Sequence, residues 1–180
     1  MKTWLGGLVV MVAACTGSTT ASQPLTTANS AGRQIGADGT NAVASNAVVV
    51  RAIDGDTIDV KIRGHTERIR LIGVDTPETV KPNTPVQCYG PEASAFTKHL
   101  LPSGTQVRLV RDVEARDVYG RLLAYVYRSS DGLFVNLVLA ADGYARPLTI
   151  PPNDSLEPAF AHAASTAEAA KKGLWGKCSG

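Results

Sequence analysis

An excess of charge of one sign is what this sequence most clearly lacks. Its 18 Lys and Arg residues stand against 16 Asp and Glu residues, so the formal net charge is only +2 over 180 residues. Bulk charge therefore does not predict binding to a polyanion, and it does not exclude such binding either. Aromatic residues are also few, at 6%, whereas the hydrophobic share of 44% is ordinary for a globular protein. The length indicates one folded domain with extensions.

Histidine and cysteine are equally scarce, with three residues of each. His65, His99 and His162 are scattered along the chain, one in a predicted turn and two in predicted helices. We interpret them as solvated or core-edge side chains. They do not favour a zinc site, which would need clustered His or Cys ligands.

Long apolar runs are absent as well, and the one short run lies at the N-terminus. Residues 5–15 follow Lys2 and are almost entirely apolar, but they are too few for a permanent membrane-spanning helix. We therefore predict that residues 1–15 are a secretory signal. Residues 12–15, which end in Cys15, resemble the lipobox of bacterial lipoproteins, in which the cysteine is lipidated. An ordinary signal peptide cut near residues 13–14 is the alternative.

Residues 16–45 are rich in Thr, Ser, Ala, Gly and Asn, and we interpret them as a flexible linker. The protein is then expected to be exported, either lipid-anchored to the membrane of the cell envelope or secreted. If Cys15 is lipidated, Cys88 and Cys178 remain as a pair, which an oxidising compartment would favour as a disulfide. Two free thiols are the alternative.

Five segments have the β-branched composition or the alternation of strands, and they are residues 47–53, 57–62, 66–72, 106–110 and 122–127. Three segments have helical character, and they are residues 91–101, 134–142 and 156–172. Asp154 is the expected N-cap of the last helix, with Glu157 completing a capping box. This order predicts an α+β fold that is mainly β, a five-stranded OB-fold barrel with three helices.

Carboxylates collect where two of the predicted strands end. Asp54 and Asp56 flank a glycine after the first strand, and Asp75 and Glu78 follow the third. Such carboxylates, together with a backbone carbonyl, favour a hard cation such as Ca²⁺.

Two arginines complete this pattern. The guanidinium groups of Arg70 and Arg121 are suited to binding phosphate oxygens at two points and to stabilising charge that develops at phosphorus. Glu78 is a candidate to take a proton from water. Together, these groups are the parts of a phosphodiester hydrolase.

Four blocks of sequence resemble the thermonuclease (staphylococcal nuclease) family. They are residues 52–57, 70–78, 89–98 and 117–125, and the similarity extends over about residues 46–175. With its lipobox, the chain is similar to a lipoprotein-type bacterial member. The resemblance implies a nuclease domain over residues 46–180. Its expected activity is that of a calcium-dependent, monomeric endonuclease that hydrolyses DNA and RNA with low sequence specificity and leaves 3′-phosphates.

The resemblance also implies a role for each site residue. Asp56 and Asp75 would bind Ca²⁺ through their carboxylates, Thr76 through its carbonyl, and Asp54 through a water. The remaining roles fall to the groups that meet the substrate. They are Glu78 as general base, Arg70 and Arg121 at the scissile phosphate, and Tyr119 near the terminal phosphate.

The chain departs from the family pattern at two places. Val118 stands where the family has a lysine, and residues 147–152 stand where a characteristic member has tyrosines that pack on the base. Base stacking at this edge is therefore not expected. Two further functions remain open from the sequence: a binding module without catalytic activity, and a calcium-binding envelope protein.

Overall fold

The computed structural model describes Met1, residues 41–80 and residues 82–178. Most of the predicted signal and linker, including Cys15, lies outside the described residues, so those expectations stay predictions. Within the described part, no helix is both long and apolar enough to cross a membrane. The chain already contacts the fold at Val43, whose amide donates to the Ser129 carbonyl at 2.9 Å.

Seven strands and four helices make up the described part of the chain. In chain order they are β1 Ala47–Ala52, β2 Thr57–Ile62, β3 His65–Leu71, β4 Gly73–Asp75, α1 Gly90–Leu100, β5 Gln106–Val110, β6 Leu122–Arg128, α2 Val135–Ala141, β7 Arg146–Leu148, α3 Glu157–Ala169 and α4 Leu174–Lys177. The five predicted strands correspond to β1, β2, β3, β5 and β6, and the three predicted helices to α1, α2 and α3.

The five longer strands form a closed barrel in the order β1-β2-β3-β6-β5. β3 and β6 run parallel, whereas the other pairs, including the β1–β5 pair that closes the barrel, are antiparallel. Alternate side chains point inward, as the period of two in a strand requires. The buried interior residues include Val49, Ile58, Val60, Ile69, Leu71, Val107 and Val126. The predicted α+β, OB-like barrel is confirmed.

One buried asparagine fixes α2 against the barrel. The Asn136 side chain accepts a hydrogen bond from the Val126 amide at 2.8 Å and donates to the carbonyls of Ile72 and Ala124, at 2.9 and 3.2 Å. These bonds satisfy backbone groups just after β3 and within β6, where the ladder between these two strands stops. Asn136 therefore holds α2 beneath the point at which the chain leaves β3.

The prediction for the start of the last helix is wrong in its detail. α3 begins at Glu157, and its N-cap residue, Leu156, makes no side-chain capping bond. The amide of Glu157 instead donates to the main-chain carbonyl of Asp154, at 2.9 Å. A main-chain turn has thus taken the place of the predicted side-chain cap.

A second, two-stranded sheet was not predicted from the sequence. β4 pairs antiparallel with β7, with Gly73 opposite Leu148 and Asp75 opposite Arg146. Gly73 has a φ of 84°, which favours glycine, and a Cβ there would overlap the ring of Phe160. The chain therefore turns sharply between β3 and β4, and the residues after β7 come to lie beside the end of β3.

A disulfide joins Cys88 to Cys178 across 90 residues of sequence, with the two Cα atoms 5.8 Å apart. It links the loop before α1 to the end of α4. Nearby, the Arg146 guanidinium lies 4.7 Å from the centre of the Trp175 ring, and Leu174 is buried. The C-terminal segment is therefore held by a covalent link, a cation–π contact and apolar packing.

Replacing both cysteines, in a Cys88→Ser and Cys178→Ser double variant, should lower the free energy of unfolding by about 2–4 kcal/mol, because the unfolded chain regains entropy. Urea denaturation monitored by fluorescence measures this change. Adding a dithiol reductant should shift the midpoint of the wild-type protein towards that of the variant and leave the variant unaffected. Equal midpoints for the two oxidised proteins would contradict the prediction.

Candidate active site

A cavity of about 580 Å³ opens at one end of the barrel, where the β1–β2 turn, the end of β4 and the segment before β6 meet. All eight residues that were singled out for chemistry from the sequence line this one cavity. They are Asp54, Asp56, Arg70, Asp75, Thr76, Glu78, Tyr119 and Arg121. The fold therefore brings together groups that come from three separate stretches of the chain.

The turn between β1 and β2 is held from both sides. Thr97 of α1 is fully buried, and its hydroxyl donates to the carbonyl of Gly55 at 2.6 Å. On the other side, a Cβ on Gly55 would lie only 2.7 Å from the side chain of Thr76. Glycine at this position therefore allows the turn to approach the end of β4 closely.

Asp56 connects this turn to the end of β4. Its carboxylate accepts hydrogen bonds from the amide and the hydroxyl of Thr76, at 2.9 and 3.0 Å. The hydroxyl of Thr57 donates to its other oxygen at 2.9 Å. Asp56 is almost fully buried, yet its carboxylate still borders the cavity.

Arg70 is fixed where β3 ends. Its guanidinium donates to the carbonyls of Leu71 and Val74, at 3.0 and 2.7 Å. One nitrogen of the same group lies 2.8 Å from Asp75 and 3.3 Å from Asp56. The side chain is only 12% exposed, so the cation occupies a defined place between two carboxylates.

The carboxylates in the cavity are crowded. Burial raises the pKa of Asp75, and the charges of Asp56 and Glu78 raise it further, although Arg70 opposes this rise. Burial also raises the pKa of Asp54, against hydrogen bonds from Thr79 and the Gly55 amide, and a hydrogen bond with the Glu78 carboxyl adds to the rise. A cation bound among these groups would relieve the repulsion.

The carboxylate oxygens in the cavity are the type of ligand that calcium prefers. Among the described residues, no three His, Cys, Asp or Glu side chains already form a metal-binding group. Asp56 and Asp75 nevertheless both approach the same Arg70 nitrogen, at 3.3 and 2.8 Å. Calcium prefers oxygen ligands of this kind, so the carboxylates of Asp56 and Asp75 are the groups that would hold it.

Glu78 is positioned by a residue that the sequence did not reveal. The Gln87 side chain accepts a hydrogen bond from the Glu78 amide at 2.9 Å, and the Gln87 amide donates to the Glu78 carbonyl at 3.0 Å. The Glu78 carboxylate accepts from the amides of Thr79 and Val80, at 2.9 and 2.8 Å. Gln87 directly precedes the disulfide residue Cys88. Its position next to this cysteine was the only feature of the sequence that could have indicated a structural role for Gln87.

Arg121 is held by Asp117, four residues earlier. Asp117 accepts from the Arg121 side chain at 2.7 Å, from the Arg121 amide at 2.9 Å and from the Tyr119 amide at 3.0 Å. The guanidinium lies 5.4 Å from the centre of the Tyr119 ring, which is itself 81% exposed. Asp117 thus stabilises this turn, from which the side chains of Tyr119 and Arg121 line the cavity.

Comparison with known proteins shows the family of the chain. Residues 68–177 match a family model described as "Staphylococcal nuclease homologue". The chain belongs to the staphylococcal nuclease family. It is 51% identical over 128 residues to a thermonuclease of Staphylococcus intermedius, which covers 71% of this chain and 74% of that protein.

Two further relatives have similar names. A thermonuclease of Staphylococcus hyicus is 48% identical over 127 residues, covering 71% of this chain and 73% of that protein. The endonuclease YncB of Bacillus subtilis is 42% identical over 133 residues, covering 73% and 62%. The family model begins at Arg68, so the turn with Asp54 and Asp56 precedes the part that it matches.

A second, mainly apolar cavity of about 300 Å³ adjoins the two arginines of this staphylococcal nuclease family member. Leu123, Leu148 and Ile150 supply its apolar walls, with Arg70 and Arg121 at its edge. Val118, which stands in place of the family's lysine, also lines it and is 94% exposed. Residues 147–152, which lack aromatic side chains, therefore still present an apolar surface beside Arg70 and Arg121.

Replacing Thr97 by valine should lower the free energy of unfolding by about 1–3 kcal/mol, because the buried Gly55 carbonyl loses its donor. Thr97→Ser keeps the hydroxyl and is the matched control, although it also loses a buried methyl group. Urea denaturation of the two variants measures the difference. A serine variant that is less stable than the valine variant would show that packing matters more than this bond.

Proposed function

We propose that this protein is a calcium-dependent endonuclease that hydrolyses DNA and also RNA with low sequence specificity. The general class, a hydrolytic nuclease, follows from the family and from relatives named thermonuclease and endonuclease. The metal, the polymer and the bond that is cut are part of what we propose. The observation that carries it is the single cavity that holds four carboxylates together with Arg70 and Arg121.

Four residues of the cavity would hold the metal ion. Asp56, Asp75 and the Thr76 carbonyl would hold Ca²⁺, with Asp54 acting through a water. When bound, the ion neutralises the crowded carboxylates and polarises a phosphoryl oxygen. Arg70, which lies 2.8 Å from Asp75, would contact a phosphate oxygen from this place in the cavity.

Glu78 and the two arginines act on the scissile phosphate. Glu78 accepts a proton from water as the water oxygen forms a bond to phosphorus. Arg70 and Arg121 stabilise the negative charge that builds on the phosphoryl oxygens. The bond between phosphorus and the 5′ oxygen breaks, the leaving oxygen takes a proton from solvent water, and the products carry a 3′-phosphate and a 5′-hydroxyl.

We also propose that the protein works outside the cytoplasm as a monomer, either secreted or lipid-anchored through Cys15. The Cys88–Cys178 disulfide supports export, because structural disulfides persist in oxidising compartments. Mass spectrometry of the mature N-terminus would distinguish a diacylated Cys15 from a peptide cut at residues 13–14.

Removing calcium should abolish cleavage. Supercoiled plasmid incubated with the protein should be nicked in the presence of Ca²⁺, and a calcium chelator should stop the reaction, since the carboxylates then repel the substrate phosphate. Restoring excess Ca²⁺ should restore activity, which excludes damage by the chelator. Full activity in the chelator would remove the metal from the proposal.

Glu78→Gln should lower kcat by about 10²–10⁴-fold, the range expected for loss of a general base. The fold should survive, because the neutral amide is similar in shape and relieves repulsion among the carboxylates. Initial rates on single-stranded DNA give kcat, and urea denaturation provides the control for folding. A variant with wild-type kcat would contradict the assignment. A wild-type protein that binds DNA but does not cut it would favour the binding module.

A further inference from the structure

A third depression continues from the active-site cavity along β2 and β3. This groove has a volume of about 450 Å³, and Asp59, Thr66, Arg68, Tyr119, Gly120 and Arg121 line it. Arg68, Tyr119 and Arg121 also line the active-site cavity. The two depressions therefore share a border, so a strand lying in one could pass into the other.

Arg68 lies at this border with its guanidinium held in place. It donates to the buried Asp59 carboxylate from two nitrogens, at 2.8 and 3.3 Å. Arg51 also donates to Asp59, at 3.0 Å. Two guanidinium groups thus share one carboxylate, and the cluster keeps a positive charge. The hydrogen bonds to Asp59 hold the Arg68 guanidinium in place. The side chain is still 48% exposed, so a ligand can reach it.

The spacing of Arg68 and Arg70 matches a repeating anion. The two residues are two positions apart on β3 and therefore point to the same face of the strand. Their Cα atoms are separated by about 7 Å, since a strand rises about 3.3–3.4 Å per residue. This is comparable to the distance between successive phosphates of an extended nucleic-acid strand.

We propose that Arg68 forms a second phosphate subsite, which binds the phosphate next to the scissile one in a polynucleotide strand. The proposal rests on the nuclease function above and adds the substrate class: a strand of several nucleotides is bound in preference to a single nucleotide. The groove beyond Arg68 holds the continuing strand, and the exposed ring of Tyr119 lies at the border where a base can contact it.

The test compares Arg68→Gln with Arg51→Gln. Each variant removes one of the two arginine partners of Asp59, but only Arg68 lines the cavities. Both are made in the Glu78→Gln background with Ca²⁺ present, so that binding is measured without rapid cleavage. The probes are a fluorescent single-stranded DNA of eight nucleotides and a nucleoside 3′,5′-bisphosphate.

Arg68→Gln should weaken binding of the octanucleotide on the order of 10-fold and reduce the slope of log affinity against log salt by about 0.7, the value for one contact to a single strand. The loss should be at least fivefold greater for the octanucleotide than for the bisphosphate. Arg51→Gln should change neither affinity more than about twofold. Arg68→Lys keeps the charge and should keep the salt slope.

An unchanged octanucleotide affinity and slope in Arg68→Gln would overturn the proposal, as would equal losses in the two arginine variants or equal losses for the two probes. If Arg68→Gln does not fold, the double variant Asp59→Asn and Arg68→Gln replaces it, because no buried carboxylate is left unpaired. The nuclease function is tested separately by plasmid nicking with the wild-type protein. A protein that binds the octanucleotide through Arg68 but never cuts retains the subsite and loses the enzymatic function.

Discussion

The Asp56 carboxylate accepts two hydrogen bonds from Thr76, and these bonds join two turns that are 20 residues apart in sequence. One turn carries Asp54 and Asp56, and the other carries Asp75 and Glu78. Buried hydrogen bonds to a charged group are strong and directional, so the two turns cannot move independently. Gly55 permits the close approach that the bonds require, and both turns line the same cavity.

Four carboxylates in one cavity are costly for the folded state, since like charges repel and burial disfavours the charged form. The raised pKa values of Asp54 and Asp75 express this cost. The protein offsets part of it with Arg70 and with amides that donate to Glu78. The repulsion that remains among the carboxylates would favour binding of a hard cation. The crowded charges that make this cavity unfavourable when it is empty are thus the ones that support the proposed binding of calcium and phosphate.

Much of this arrangement could be predicted because the informative residues lie at the ends of strands. A barrel has few ways to connect its strands, so charged residues after β1, after β3 and in the β5–β6 connection were expected to meet. The pairing of β4 with β7 could not be predicted in this way. Each strand has only three residues, and β7 contains a proline, which argues against a strand.

Gln87 escaped prediction for a different reason. Its importance depends on a loop that closes across nine residues and brings its side chain to the Glu78 amide, and no local pattern encodes that closure. The N-cap predicted at Asp154 was wrong because the Glu157 amide donates to the main-chain carbonyl of Asp154 and not to its side chain. Local preferences of this kind are weak, and the tertiary structure around them decides whether they are realised.

The three depressions meet at the turn that carries Tyr119 and Arg121, and each suits a different part of a nucleotide strand. The first holds carboxylates and arginines, the second is apolar, and the third is polar and bordered by Arg68. Leu148 and Ile150 give the apolar cavity contact area without the roughly 1–3 kcal/mol that stacking on an aromatic ring contributes per base. An enzyme that contacts the base through aliphatic side chains needs more of its affinity from the backbone of the strand. A further phosphate contact at Arg68 would supply it, at the cost of a stronger dependence on salt.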